Sequence, residues 1–233
     1  MKKLRKSTIL AAVLALCAAG TASTASAGQR DTEQFDRKIP FHSGGRLTLN
    51  NFSGHVTITG GASDEVVIHA VRHGRRDRLD HIKVDVQSDA NEVSIEANRK
   101  DPDWHERNDN VIETDFEIQV PRQTDLDVNV FSSRVDVSGV SGRQKLHAFS
   151  GDVRVTDATG PMDAKTFSGD IDVTLSGSPN GQVDFDSFSG RFDSSRPVAM
   201  HTASRHSRMQ GELGTGGNTQ FRFKTFSGDV TLR

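Results

Sequence analysis

The sequence predicts an all-β protein, a β-solenoid-like stack of two-strand repeats of roughly 18–21 residues preceded by an irregular β-sheet region. Three observations carry this. Apolar and polar residues alternate along nearly the whole chain. No stretch of ten or more residues after the N-terminal segment has a helical period. A Phe-Ser-Gly motif recurs at almost constant spacing in the second half.

The first segment stands apart from the fold. "MKKLRKSTILAAVLALCAAGTASTASA" has a basic start (Lys2, Lys3, Arg5, Lys6), a short apolar run from Ile9 to Ala19 and the small-residue site Ala25-Ser26-Ala27. That is the pattern of a signal peptide cleaved after Ala27. The apolar run is too short to span a bilayer comfortably. Cys17, the only cysteine, follows Leu16 rather than a small residue, so it reads as part of the apolar run and not as a lipidation site. The mature chain then has no thiol or disulfide chemistry.

Of 29 basic and 31 acidic residues, the leader takes four basic ones. The remainder has 25 against 31, a net charge of −6. A general nucleic-acid binder would be basic, so that class is disfavoured. No other segment is apolar enough to cross a membrane as a helix, so an integral membrane protein is not expected. The expected location is the periplasm or the cell surface.

Residues 28–125 read as the irregular β region. Alternating runs such as "RLTLN", "HVTITG", "EVVIHA" and "FEIQV" are strands, and "HIKVDVQ" pairs with "EVSIEA" across "SDAN". Residues 126–233 read as the repeat array, continuous with the first region in one domain over 30–233. Its units begin at Phe131, Phe149, Phe167, Phe188 and Phe226, at spacings of 18, 18, 21 and 38. The last gap leaves room for a worn copy near His206. An earlier relative, "FSGHVTI", begins at Phe52. A period near 18 accommodates two strands of about five residues and two turns. Equal spacing puts like residues side by side when units stack in parallel, which favours a solenoid over an antiparallel meander.

Within a unit each letter has an expected job. Gly151, Gly169, Gly190 and Gly228 permit positive φ. The serine bonds its own turn. The phenylalanine points inward and stacks on the next rung about 4.8 Å away. Arg134, Asp152, Asp170 and Arg191 follow the turn, and Asp136, Arg154, Asp172 and Asp193 come two residues later. Stacking in sequence order would set Arg134 beside Asp152, Asp136 beside Arg154, Arg154 beside Asp172 and Asp170 beside Arg191, a charge ladder. It would also set like charges together at Asp152/Asp170 and Asp172/Asp193.

Two surface segments are candidate binding sites. Arg72, Arg75, Arg76 and Arg78, with His73, form a basic loop suited to phosphate-bearing glycans or lipid headgroups. Trp104, the only tryptophan, sits among Asp101, Asp103, Glu106 and Asp109 and suits a sugar or a cation. The bland readings are a solvated hairpin tip and a solvated insertion capping the core. No metal site is expected: each repeat brings at most one Asp after its turn, and calcium wants six or more oxygens. His69 and His73 lie about 13 Å apart on an extended strand, too far for one ion. No cofactor motif and no catalytic constellation is present.

"GGRLTLNNFSGHVTITG", "QVPRQTDLDVNVFSSRVDVSGVSG", the Ser-Gly-Asp-Val units and the closing "GGNTQFRFKTFSGDVTLR" together resemble a bacterial β-strand-repeat family of unknown function labelled "putative adhesin". The resemblance covers roughly 35–233. It implies a β-solenoid-like fold in exported or envelope-associated proteins and carries over no catalytic residue. The sequence thus points to an exported, non-enzymatic β-repeat protein with an adhesin-like binding or structural role. Its partner would be an envelope protein, a glycan or a second copy. The alternatives are a glycan-processing β-helix enzyme using Asp152, Asp170 and Asp172, and an envelope-stress sensor of anionic surfaces.

Overall fold

A computed structural model describes residues 30–104, 111–204 and 208–233. The strands are β1 (Asp31–Pro40), β2 (Arg46–Gly61), β3 (Glu65–Gly74), β4 (Ile82–Ser88), β5 (Glu92–Lys100), β6 (Glu113–Pro121), β7 (Asp125–Ser138), β8 (Gln144–Ser150), β9 (Val153–Ala158), β10 (Met162–Ser168), β11 (Ile171–Leu175), β12 (Gly181–Ser187), β13 (Phe192–Ser194), β14 (Val198–Ser204), β15 (Arg208–Leu213), β16 (Gln220–Ser227) and β17 (Val230–Leu232). One short helix, α1 (Arg76–His81), joins β3 to β4.

Seven two-limbed rungs stack in parallel. The first limbs run β5–β2–β7–β8–β10–β16–β12 and the second limbs run β6–β2–β7–β9–β11–β17–β13. In the second and third rungs a single strand, β2 or β7, passes through the corner unbroken. In the following four, Phe-Ser-Gly divides the rung into two strands. Antiparallel elements finish both ends. At one end β4 pairs with β5, and β1 pairs with β3, which pairs with β6. At the other, β15 pairs with β12 and β14 with β15.

Alternation buries one face of each limb. On the first limbs Leu49, Val128, Leu146, Ala164, Phe223 and Phe185 form one inward ladder. On the second limbs Ile58, Val137, Val155, Val173 and Leu232 form another. These ladders belong to one continuous apolar cluster running from Ile39 to Leu232. Small and large residues alternate where rungs meet, as Ala164 does beside Phe223, which keeps the interior filled.

The stack does not follow sequence order. The C-terminal rung β16/β17 sits between β10/β11 and β12/β13. The unit beginning at Phe52 belongs to the stack as its second rung, between the β5/β6 rung and the Phe131 rung. The worn copy expected near His206 is not a parallel rung in the described residues around it, where β14 and β15 pair antiparallel. His206 itself, like the leader with Cys17 and like Glu106 and Asp109, lies outside the described residues.

Candidate functional site: an exposed phenylalanine ladder

The corner motif is fixed by contacts between rungs. Its glycines are required by close approach. A Cβ on Gly169 would lie 2.2 Å from the Gly151 carbonyl oxygen, and one on Gly228 would lie 2.1 Å from that of Gly169. Positive φ is not the reason: among the motif glycines only Gly54 has it, at +121°. The threonine before the phenylalanine closes the turn. Thr166 Oγ1 donates to the Gly169 carbonyl at 2.7 Å, and Thr225 Oγ1 donates to that of Gly228 at 2.9 Å. The aspartate secures the next rung. Asp170 N–H donates to Asp152, Asp229 N–H to Asp170, and Arg191 N–H to Asp229, at 2.8–3.1 Å. The terminal rung has no successor to hold, and there the aspartate position is Arg191.

The phenylalanines point outward, contrary to the inward orientation expected. Lys165 and Phe167 are two apart, so they share the outer face, while Thr166 between them is buried. The rings stack in the order Phe52, Phe131, Phe149, Phe167, Phe226, Phe188, with centroids 4.6–4.9 Å apart. All but the first pair are within 6° of parallel. The first five rings are 42–46% exposed, and Phe188, at the open end, is 72% exposed. Because each inner ring has a neighbour on both faces, the ladder presents ring edges to solvent.

Beside the ladder runs an open groove of about 1030 Å³. Its far wall is the register Asn50, Asn129, His147, Lys165, Lys224, Asp186, with Glu96 beyond Asn50. Its floor is Asn51, Val130, Ala148, Thr166, Thr225 and Ser187, all nearly buried. The wall lysines have partners: Lys165 Nζ lies 3.0 Å from Asp163 and Lys224 Nζ lies 3.7 Å from Asp186. Partial burial holds the His147 imidazole below its ordinary pKa, and the nearby Lys165 and Lys145 ammonium groups reinforce this. Among the described residues, three buried polar atoms at the groove have no hydrogen-bond partner: Asn51 Oδ1, Asn98 Nδ2 and His147 Nε2.

Much of the expected charge ladder forms. Arg134 lies 2.9 Å from Asp152 and Arg154 lies 3.9 Å from Asp172. Asp136 is in register with Arg154 and pairs with His55 Nε2 at 2.9 Å. The pairing of Asp170 with Arg191 does not form. Arg191 instead lies 2.7 Å from Asp229, because the C-terminal rung intervenes. The same insertion places Thr231 between Asp172 and Asp193 and removes that like-charge contact. At Asp152 and Asp170 the potential repulsion gives way to the backbone bond described above. Hydrogen bonding to Arg134 and to the Asp170 N–H holds the Asp152 carboxyl below its usual range.

The basic segment is not a solvated loop. Arg72 is buried on β3, pairing with Glu33 and donating to the Ile82 carbonyl, and Arg78 is buried within α1. Arg75 pairs with Asp77 and Arg76 with Asp80 on the surface. Trp104 stacks on His81 with ring centroids 4.3 Å apart. Among the described residues, no group of three or more His, Cys, Asp or Glu is placed to hold a metal ion, and no helix is long and apolar enough to cross a membrane. The groove residues Asn51, Asn98, His147, Lys165 and Lys224 were not singled out from the sequence. The parity of Lys165 with Phe167 was the signal that could have found the wall.

A solved structure and a family model agree with this architecture. A crystal structure of a "putative cell adhesion protein" from Clostridium sporogenes aligns with a TM-score of 0.62 at 10% identity, covering 88% of this chain and 99% of that one. A "putative adhesin" from Bacteroides fragilis aligns over 86% of this chain and 97% of its own, at 12% identity and a TM-score of 0.28. No curated protein matches. The model of the Toastrack DUF4097 family matches residues 38–233, nearly all of the stacked β structure, and the chain belongs to that family.

Proposed function

We propose that this chain is an exported, non-enzymatic binding protein of the bacterial cell envelope, and that its binding face is the groove beside the phenylalanine ladder. One observation carries the reading: six phenylalanine rings are held in line at the surface beside an open groove. A contiguous apolar surface on a folded protein marks a place where something docks. The repeat machinery holds these rings outward at six successive rungs. The leader "MKKLRKSTILAAVLALCAAGTASTASA" supports export, and the adhesion label of a structural relative is compatible with a binding role.

The glycan-processing alternative needs a carboxylic acid held protonated near neutral pH. The Asp152 carboxyl is shifted in the opposite direction. Asp170 binds the Asp229 N–H, and Asp172 lies between Arg154 and Arg233. These carboxylates are spent on holding rungs together.

Two measurements test the reading. N-terminal sequencing of the protein recovered from the envelope fraction should begin at Gly28. A photo-crosslinking amino acid at position 147 should give adducts in living cells, and one at Asp193, on a second limb, should not. Equal adducts at both positions, or none at 147, would remove the groove as the binding face.

A further inference from the structure

We propose that the groove takes the single acyl chain of a neutral amphiphile, with its hydrogen-bonding head group at Asn51 and Asn98 and its tail along Phe131 to Phe226. This rests on the groove being the binding face and names what fills it.

The presentation of the rings selects among ligand classes. A sugar stacks on a free aromatic face, but the inner rings have both faces covered by their neighbours. An extended peptide repeats its side-chain direction every two residues, about 6.6–6.8 Å. That is out of step with rings 4.6–4.9 Å apart. A hydrocarbon chain has no side chains to bring into register and can lie along ring edges at any phase. Its length also fits. The ladder has five such intervals, roughly 24 Å. A chain filling one leaflet spans about 15 Å, half of a ~30 Å hydrocarbon core, which leaves room for a head group at one end.

The polarity of the groove sets which end. Asn51 is 5% exposed; its Nδ2 donates to the Thr114 carbonyl and to Ser133 Oγ, which leaves Oδ1 as an unused acceptor. Asn98 Oδ1 accepts from the Ile112 N–H, which leaves Nδ2 as an unused donor. A buried acceptor and a buried donor beside one groove suit a hydroxyl or an amide, which can serve both. Asn50 and Asn129 extend the same amide-rich end. The middle of the floor is Val130 and Ala148. At the far end the Thr225 and Ser187 hydroxyls bond to each other. The wall lysines are already paired with Asp163 and Asp186, and Glu96 lines the same groove, so its described residues offer no unpaired lysine to an anionic head.

The test is a titration of the purified chain with 1-dodecanoylglycerol below its aggregation concentration, followed by heat and by amide NMR shifts. Sodium dodecanoate and glycerol serve as comparators. The expected result is saturable one-to-one binding of the monoacylglycerol, with shifts at Val130, Ala148 and Thr166, weaker binding of dodecanoate and none of glycerol. The double variant Phe149→Ser/Phe167→Ser should weaken binding at least tenfold. Asn98→Asp keeps the acceptor for the Ile112 N–H while removing the donor, and should weaken it about fivefold. No saturable binding, equal binding by the Phe149/Phe167 variant, preference for dodecanoate, or a dimer that buries the ladder and excludes the monoacylglycerol would each overturn the proposal. If the monoacylglycerol fails while a crosslinker at position 147 still captures another partner, only this inference falls. If both fail, the groove is not the binding face.

Discussion

At the scale of single residues, the recurring KTFSGD is a set of rung-to-rung contacts. Thr closes its own turn, Gly lets the neighbouring carbonyl approach, Asp receives the next N–H, and Lys and Phe face the groove. The glycine account predicts a contrast. Gly169→Ala puts a Cβ 2.2 Å from a backbone oxygen that cannot swing away. It should cost about 3 kcal/mol, the upper range for overpacking. Gly177→Ala meets nothing within 4 Å but sits at φ +66°, so it should cost only about 1 kcal/mol. Chemical denaturation of the two variants checks this, and equal costs would return the motif glycines to a conformational role. The histidines give a second residue-scale prediction. Hydrogen bonding to Asp36, reinforced by its charge, raises the His69 pKa above 6.5, whereas burial lowers that of His147. NMR titration should place them on opposite sides of 6.5. The His69 contribution to stability is complete below pH 6.5 and fades as pH rises through its elevated folded value. His147 instead lowers stability as pH falls below 6.5, because only the unfolded chain then takes up the proton.

At the scale of elements, the rung was legible and its place in the stack was not. Period-two alternation with an 18-residue repeat fixes two short limbs and parallel stacking, and Arg134 with Asp152 fixes the register of neighbouring rungs. The outward face of Phe167 was also available from its parity with Lys165. Reading phenylalanine as core by its chemistry obscured it, although an exposed ring that stacks on two others has already lost much of its contact with water. The order of rungs had two weaker signals. Sequence order would oppose Asp172 to Asp193, and the two copies of KTFSGD lie 59 residues apart yet become adjacent, Lys165 against Lys224. The buried amides at Asn51 and Asn98 had no sequence signal, since their unmet atoms exist only once β2, β5 and β6 converge. The Asp-to-amide bonds make their own prediction. Asp170→Ala removes the acceptor for the Asp229 N–H and should cost about 1 kcal/mol, modest because the site is exposed. Asp170→Asn retains an acceptor oxygen and should recover part of that loss. If both variants melt with the wild type, these bonds position the rungs without stabilising them.

At the scale of the whole molecule, the inserted C-terminal rung controls closure. Residues 220–233 supply β16 and β17, which pair on one side with β10 and β11 and on the other with β12 and β13. Until the last residues arrive, the β12–β15 end has no parallel neighbour joining it to the rest, and two strand edges stand open. Phe221, Phe223, Val230 and Leu232, all buried, are missing from the middle of the core. Each such side chain is worth about 1.5–3 kcal/mol when fully buried, and their sum rivals the 5–15 kcal/mol net stability of an ordinary domain. A chain ending at residue 219 should therefore lose its single cooperative unfolding transition and expose apolar surface to a dye such as ANS. The deletion removes one complete rung with both its limbs, so a synthetic peptide of residues 220–233 has a defined vacancy to enter. Its addition should restore the cooperative transition with a midpoint that rises with peptide concentration. The same peptide with Phe221 and Phe223 changed to Ser should not restore it. A truncated chain that still melted cooperatively near the wild-type temperature would mean that β12 can dock directly on β10, and that the sequence order of rungs is an accessible alternative packing.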